Sequence, residues 1–89
     1  MEKSTHSPHY EALKKRLVDL RKSFGLSQRA LAERLDVPRS FVSRIELGER
    51  RIDLVELYWI CQALGVDPLD ISMQLVKTFR KIDRGASPS

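Results

Sequence analysis

Residues 26–51 read LSQRALAERLDVPRSFVSRIELGERR, and the fold turns on this stretch. Ser27 offers a side-chain oxygen to cap a helix, and Leu31, Ala32 and Leu35 follow at helical spacing. Asp36 breaks the pattern. Pro38 suits the first turn of another helix, because its φ is preset and its missing N–H would lack a partner there anyway. That helix runs to Leu47 and stops at Gly48, a residue that tolerates the left-handed backbone of a helix end. Turning about 100° per residue from Arg39, Phe41, Val42 and Ile45 fall between roughly 200° and 300°. Arg39, Ser40, Ser43, Arg44 and Leu47 occupy the complementary arc. An apolar back therefore anchors the helix, and two arginines with two serines face outward. Arginine carries a planar fork that matches guanine O6 and N7, and serine hydrogen-bonds bases or phosphates. On a short helix behind a tight turn, this set points to a DNA major groove.

The flanking sequence supplies further helices. Upstream, Tyr10, Leu13, Leu17, Leu20 and Phe24 form one helical stripe that Gly25 ends. Downstream, Asp53 caps a fourth helix with Leu54, Leu57, Ile60, Cys61 and Leu64 inward, closed by Gly65. Asp67-Pro68 opens a fifth helix expected to persist to about Lys81. The expectation is an all-α domain of five helices over residues 10–82. Residues 1–9 are expected to form a flexible arm and residues 83–89 a loose tail. At 89 residues, 42% hydrophobic and 31% charged, the chain supports one small globular core. One cysteine cannot close an internal disulfide, and no apolar run approaches the roughly 18 residues of a membrane span. The polar first nine residues lack the apolar stretch of a signal peptide, so a cytoplasmic location is expected.

Charge is unevenly spread around a net +4. Residues 10–51 hold eleven basic and six acidic side chains, whereas residues 52–76 hold only Asp53, Glu56, Asp67 and Asp70. A positive half draws a polyanion, because phosphate contacts release counterions. Enzyme chemistry lacks its parts: His6 and His9 sit in the expected arm, and no glycine-rich phosphate loop exists. Cys61 lies on an apolar face beside Leu57 and Leu64, where a thiol is core rather than nucleophile. No metal site and no cofactor are expected.

Leu26 to Arg51 resembles the helix-turn-helix of the phage-repressor family, often called Xre or Cro-like. Gln28 opens the second helix; Leu31, Leu35, Val37, Val42 and Ile45 stand at the motif's buried positions; Ala32 stands where the two helices cross. The Ile45-Glu46-x-Gly48 ending and the run from Leu54 to Val66 continue the likeness, which covers about 65 residues with the first helix. Asp36 stands where relatives usually have glycine, Pro38 where many have Ser or Thr, and Arg29 where an acidic residue is common. The resemblance implies operator binding with the third helix in the major groove. It makes Arg39, Ser40, Ser43 and Arg44 base-reading candidates, and Gln28, Arg29, Arg50 and Arg51 phosphate contacts. Leu47 would touch a thymine methyl or a sugar, or is simply a scattered exposed leucine. Arg21 falls about 20° from Tyr10, at the border of the first helix's stripe. Relatives pair an arginine there with the glutamate before the glycine ending, which implies a structural ion pair between Arg21 and Glu46.

The fifth helix is too apolar for one-sided packing, since its apolar residues span about 200° where roughly 100° would do. Val55 and Trp59 also lie off the main arc of the fourth helix. Trp59 is either an interface anchor or covered by the arm or the fifth helix. The expectation is a homodimer through helices four and five, using Val55, Trp59, Leu75 and Phe79, with the acidic strip nearby and away from DNA. The function read from the sequence is a DNA-binding transcriptional regulator acting on a palindromic operator, regulated by concentration, dimerisation or an unidentified protein partner. The alternative is a protein-interaction module of the same fold that has lost DNA binding; its outward face at 39–51 would have lost the basic and hydrogen-bonding residues present here.

Overall fold

The computed structural model describes residues 5–86, which form α1 (Pro8–Ser23), α2 (Gln28–Leu35), α3 (Arg39–Leu47), α4 (Leu54–Leu64) and α5 (Pro68–Ala86). No strand occurs among the described residues. Local chemistry sets the helix starts. Ser7 Oγ accepts from the Tyr10 amide at 3.1 Å, and Ser27 Oγ accepts from the Ala30 amide at 3.0 Å. Asp53 and Glu56 form a reciprocal capping box at the start of α4. Pro38 stands at the N-cap of α3 with no side-chain hydrogen bond to offer, so preset φ replaces a cap there.

The ends of α1 to α4 share one device. A residue with positive φ (Gly25, Asp36, Gly48 or Gly65) is followed by an amide that bonds back to the carbonyl five residues earlier. Leu26, Val37, Glu49 and Val66 supply those amides. Asp36, at φ 57° and ψ 46°, is the one without glycine's freedom.

Each helix contributes one face to a single core. Leu17 and Leu20 of α1, Leu31 and Ala32 of α2, and Val42 and Ile45 of α3 meet Leu57, Ile60, Cys61 and Leu64 of α4. Ile71 and Leu75 of α5 close it from below. Ala32 is 2% exposed at the α2–α3 crossing, where a larger side chain would have to displace α3. No helix among the described residues is long and apolar enough to cross a membrane.

Two boundaries differ from expectation. The arm expected through residue 9 is ordered from Thr5 onward: Thr5 Oγ1 donates to the Gly48 carbonyl at 2.6 Å, and Ser7 is buried as the cap of α1. Residues 1–4 lie outside the described residues. At the other end α5 continues past Lys81 to Ala86, so the expected tail at 83–89 is helical as far as it is described. Nothing between Lys81 and Ala86 forbids a helix, and α1 holds this last stretch. His9 Nε2 lies 2.6 Å from Asp83 Oδ1, and its ring meets Phe79 edge-on at 5.6 Å.

Candidate nucleic-acid interface

The α3 helix presents two faces of opposite character. Val42 and Ile45 are each 3% exposed and Phe41 packs against the core, while Arg39, Ser40, Arg44 and Leu47 are exposed and Ser43 is half-buried. Ser43 Oγ donates to the Ser40 carbonyl at 3.3 Å, a bond within the helix that a better acceptor could replace. Arg44 has only a marginal 4.0 Å approach to Glu49, so its guanidinium is available at the surface.

Arg21 and Glu46 set the pitch of this helix against the rest of the domain. Arg21 Nε donates to Glu46 Oε2 and Nη2 to Oε1, both at 2.8 Å, and Nη1 donates to the Leu26 carbonyl at 2.7 Å. The two side chains are 9% and 10% exposed, so this is a parallel two-point bridge largely out of water. Gln28 joins it: Nε2 donates to Glu46 Oε1 at 2.9 Å, which turns its carbonyl oxygen toward the exposed side, where Arg39 Nη2 approaches at 3.4 Å. The first turn of α2 and the outward face of α3 are thereby tied through one carboxylate. Arg21, Ser27, Gln28, Arg29 and Arg39 line an open basic hollow beside α3. Amides at a helix start and several cations facing one hollow suit an anion.

Arg50 and Arg51 part company in the loop between α3 and α4. Arg50 Nη1 and Nη2 donate to the two carboxylate oxygens of Glu56 at 3.0 and 2.5 Å, and the guanidinium lies over the Phe41 ring at 4.7 Å. Arg50, expected among the phosphate contacts, is bonded to a neighbouring carboxylate, which fixes its partly exposed guanidinium beside the loop. The Arg50 guanidinium, aided by the Asp53 amide, outweighs burial and holds the Glu56 carboxyl below the usual glutamate range. Arg51 lies on the outer side of the loop with its guanidinium 4.9 Å from the centre of the Tyr10 ring.

Sequence reasoning missed Glu56 and Tyr10. Glu56 was counted in an acidic strip away from the basic face, yet it turns back to Arg50; the Asp53-x-x-Glu56 spacing of a capping box was the signal. Tyr10 looked like one more apolar stripe position, and nothing local announces that its hydroxyl serves residues 50 and 52.

The expected dimer residues divide. Val55 and Trp59 are each 54% exposed, and neither α5 nor the described part of the N-terminal segment covers Trp59. Leu75 is 5% exposed and belongs to this chain's own core, and Phe79 is partly buried against that core. The surplus apolar flank of α5 is instead Leu69, Met73 and Val76, all exposed. Cys61 has no exposed surface, and burial, with Asp67 adding to it, pushes its thiol up away from the reactive thiolate.

A short helix crossing a second one over an alanine, with its arginines and serines held outward by a buried ion pair, defines a DNA-binding helix-turn-helix. A family model described as helix-turn-helix matches residues 17–71, and the chain belongs to this Xre/Cro-like family of DNA-binding transcriptional regulators. It is 41% identical over 58 residues to Control protein C.BamHI of Bacillus amyloliquefaciens, an alignment covering 65% of this chain and 70% of that protein. Among solved structures, an XRE-family like protein from Pseudomonas syringae pv. tomato str. DC3000 matches with a TM-score of 0.77 and 38% identity, covering 82% of this chain and 89% of that one.

Proposed function

We propose that the protein binds a palindromic operator as a homodimer, with α3 of each protomer in successive major grooves roughly 34 Å apart. The observation that carries base reading is the outward set Arg39, Ser40, Ser43 and Arg44, backed by Val42 and Ile45 and braced by the Arg21–Glu46–Gln28 network. Gln28, Arg29 and Arg51 then hold the phosphates that flank the groove. Dimerisation draws on exposed apolar faces elsewhere: Leu54, Val55, Tyr58 and Trp59 on α4, and Leu69, Met73 and Val76 on α5. A single unit makes few base contacts, and two-fold symmetry doubles them. The likeness to a protein named a control protein agrees with a regulatory use of the bound DNA.

Selection of bound duplexes from a random library tests this directly. The expected product is an inverted repeat whose half-sites lose definition when Arg39 or Arg44 is replaced by Ala, at a cost of about 1–3 kcal/mol on the preferred site. A library that yields no enriched sequence would overturn the reading and leave the interaction-module alternative. Enrichment of a single half-site would overturn the homodimer alone.

A further inference from the structure

The loop that carries Arg50 and Arg51 out of α3 is fastened by the beginning of α1. Tyr10, only 4% exposed, places its hydroxyl between two backbone groups of that loop. The hydroxyl accepts from the Ile52 amide at 2.7 Å and donates to the Arg50 carbonyl at 3.3 Å. The same ring offers its face to the Arg51 guanidinium, so one side chain holds the backbone on both sides of residue 51 and the charge itself. The residues before α1 also reach the end of α3, where Thr5 Oγ1 donates to the Gly48 carbonyl at 2.6 Å. A flexible loop would have to order its arginine on DNA at an entropic cost, whereas this one is ordered beforehand.

We propose that Tyr10 is a positioning residue for DNA binding: it presets Arg51 for a backbone phosphate and, through it, sets affinity without setting sequence preference. The inference rests on Arg51 as a phosphate contact. Arg50, already joined to Glu56, anchors the inner side of the loop, and Tyr10 fixes the outer side.

The test uses the full chain, a short duplex of mixed sequence, and the variants Tyr10→Phe, Arg51→Ala and the pair together. Binding is followed by fluorescence anisotropy over a salt series, at a temperature where circular dichroism shows each variant fully folded. Tyr10→Phe is expected to weaken binding about two- to tenfold, the yield of a lost hydrogen-bond pair. Arg51→Ala lowers the slope of log affinity on log salt by about 0.9, one phosphate contact. In the Arg51→Ala background Tyr10→Phe has no further effect on binding, because its route to DNA is gone. Equal penalties in both backgrounds, or wild-type binding by Tyr10→Phe, overturn the proposal while leaving the phosphate reading intact. A neutral Arg51→Ala overturns the phosphate reading and the proposal with it. Amide exchange on the unaltered chain is a second measurement: an Ile52 amide that exchanges as fast as an open loop also overturns it.

Discussion

Glu46 concentrates the domain's polar chemistry in one carboxylate. It receives two bonds from Arg21 and one from Gln28, and the bridge is nine-tenths out of water. Removing one member of such a pair leaves the other charge desolvated, which costs more than the intact pair contributes. Glu46→Ala is therefore expected to lose about 3 kcal/mol in urea unfolding, a large share of a small domain's stability. A loss too small to resolve would mean that water reaches Arg21 freely. Glu56 makes an acid-side prediction. Its carboxyl is lowered in the folded state, so the unfolded chain takes up the proton first as pH falls. The stability it contributes is complete above the usual glutamate range and disappears as pH drops through the lowered folded value. Glu56→Gln is expected to flatten that acid-side decline in thermal melts. Glu11 and Asp19 are lowered as well, by bonds to Lys14 and Lys15, but they are exposed and screened and contribute little to it.

At the scale of helices, the four shared endings isolate Asp36 as the costly one. Gly25, Gly48 and Gly65 take positive φ without a Cβ penalty, and Asp36 does the same work with one. Asp36→Gly is expected to stabilise the domain by about 0.5–1 kcal/mol after the extra freedom of the unfolded chain is subtracted, raising the melting temperature by a few degrees. An unchanged or lower melting temperature would show that the Asp36 side chain supplies an offsetting contact. These endings also explain why α1 to α4 were legible in the sequence, since each has a stop residue that follows from backbone sterics. Among the described residues α5 has no such stop, and its last stretch is held by contacts of Asp83 and Phe79 with His9, a residue far away along the chain. Periodicity likewise revealed that α5 has surplus apolar surface and could not say which edge faced the core. Packing against α1 and α4 assigns Leu75 inward and Leu69, Met73 and Val76 outward. The α3 face was legible because a short helix with a two-sided pattern has only one way to lie down, whereas Tyr10 and Glu56 act on partners that the loop's path alone determines.

For the whole molecule, α4 and α5 each carry an exposed apolar face, with Val55 and Trp59 on one and Leu69, Met73 and Val76 on the other. Replacing Trp59 and Met73 together by Glu is expected to leave the fold intact, since surface changes cost about 0.5 kcal/mol or less each. The same double variant is expected to sediment as a monomer and to bind a palindrome much more weakly. Leu75→Asp, by contrast, is expected to unfold the chain outright, because it buries an unpaired charge in the core. A wild-type monomer at tens of micromolar, unaffected by adding a palindromic site, would defeat the assembly proposed here. The contact between His9 and Asp83 has a further bearing on the order of the chain. It brings the first turn of α1 beside the last turns of α5, so a short peptide splice could join these points without crossing the α3 surface. New ends opened in the exposed turn at Gly65, where an added Cβ would meet no other residue within 4 Å, would then leave the sequence α5, α1, α2, α3, α4. In that rearranged chain the segment that fastens the Arg51 loop is internal and flanked by helix on both sides. Such a chain is expected to match the parent in circular dichroism and in duplex binding; loss of either would show that the order of the helices matters to the fold.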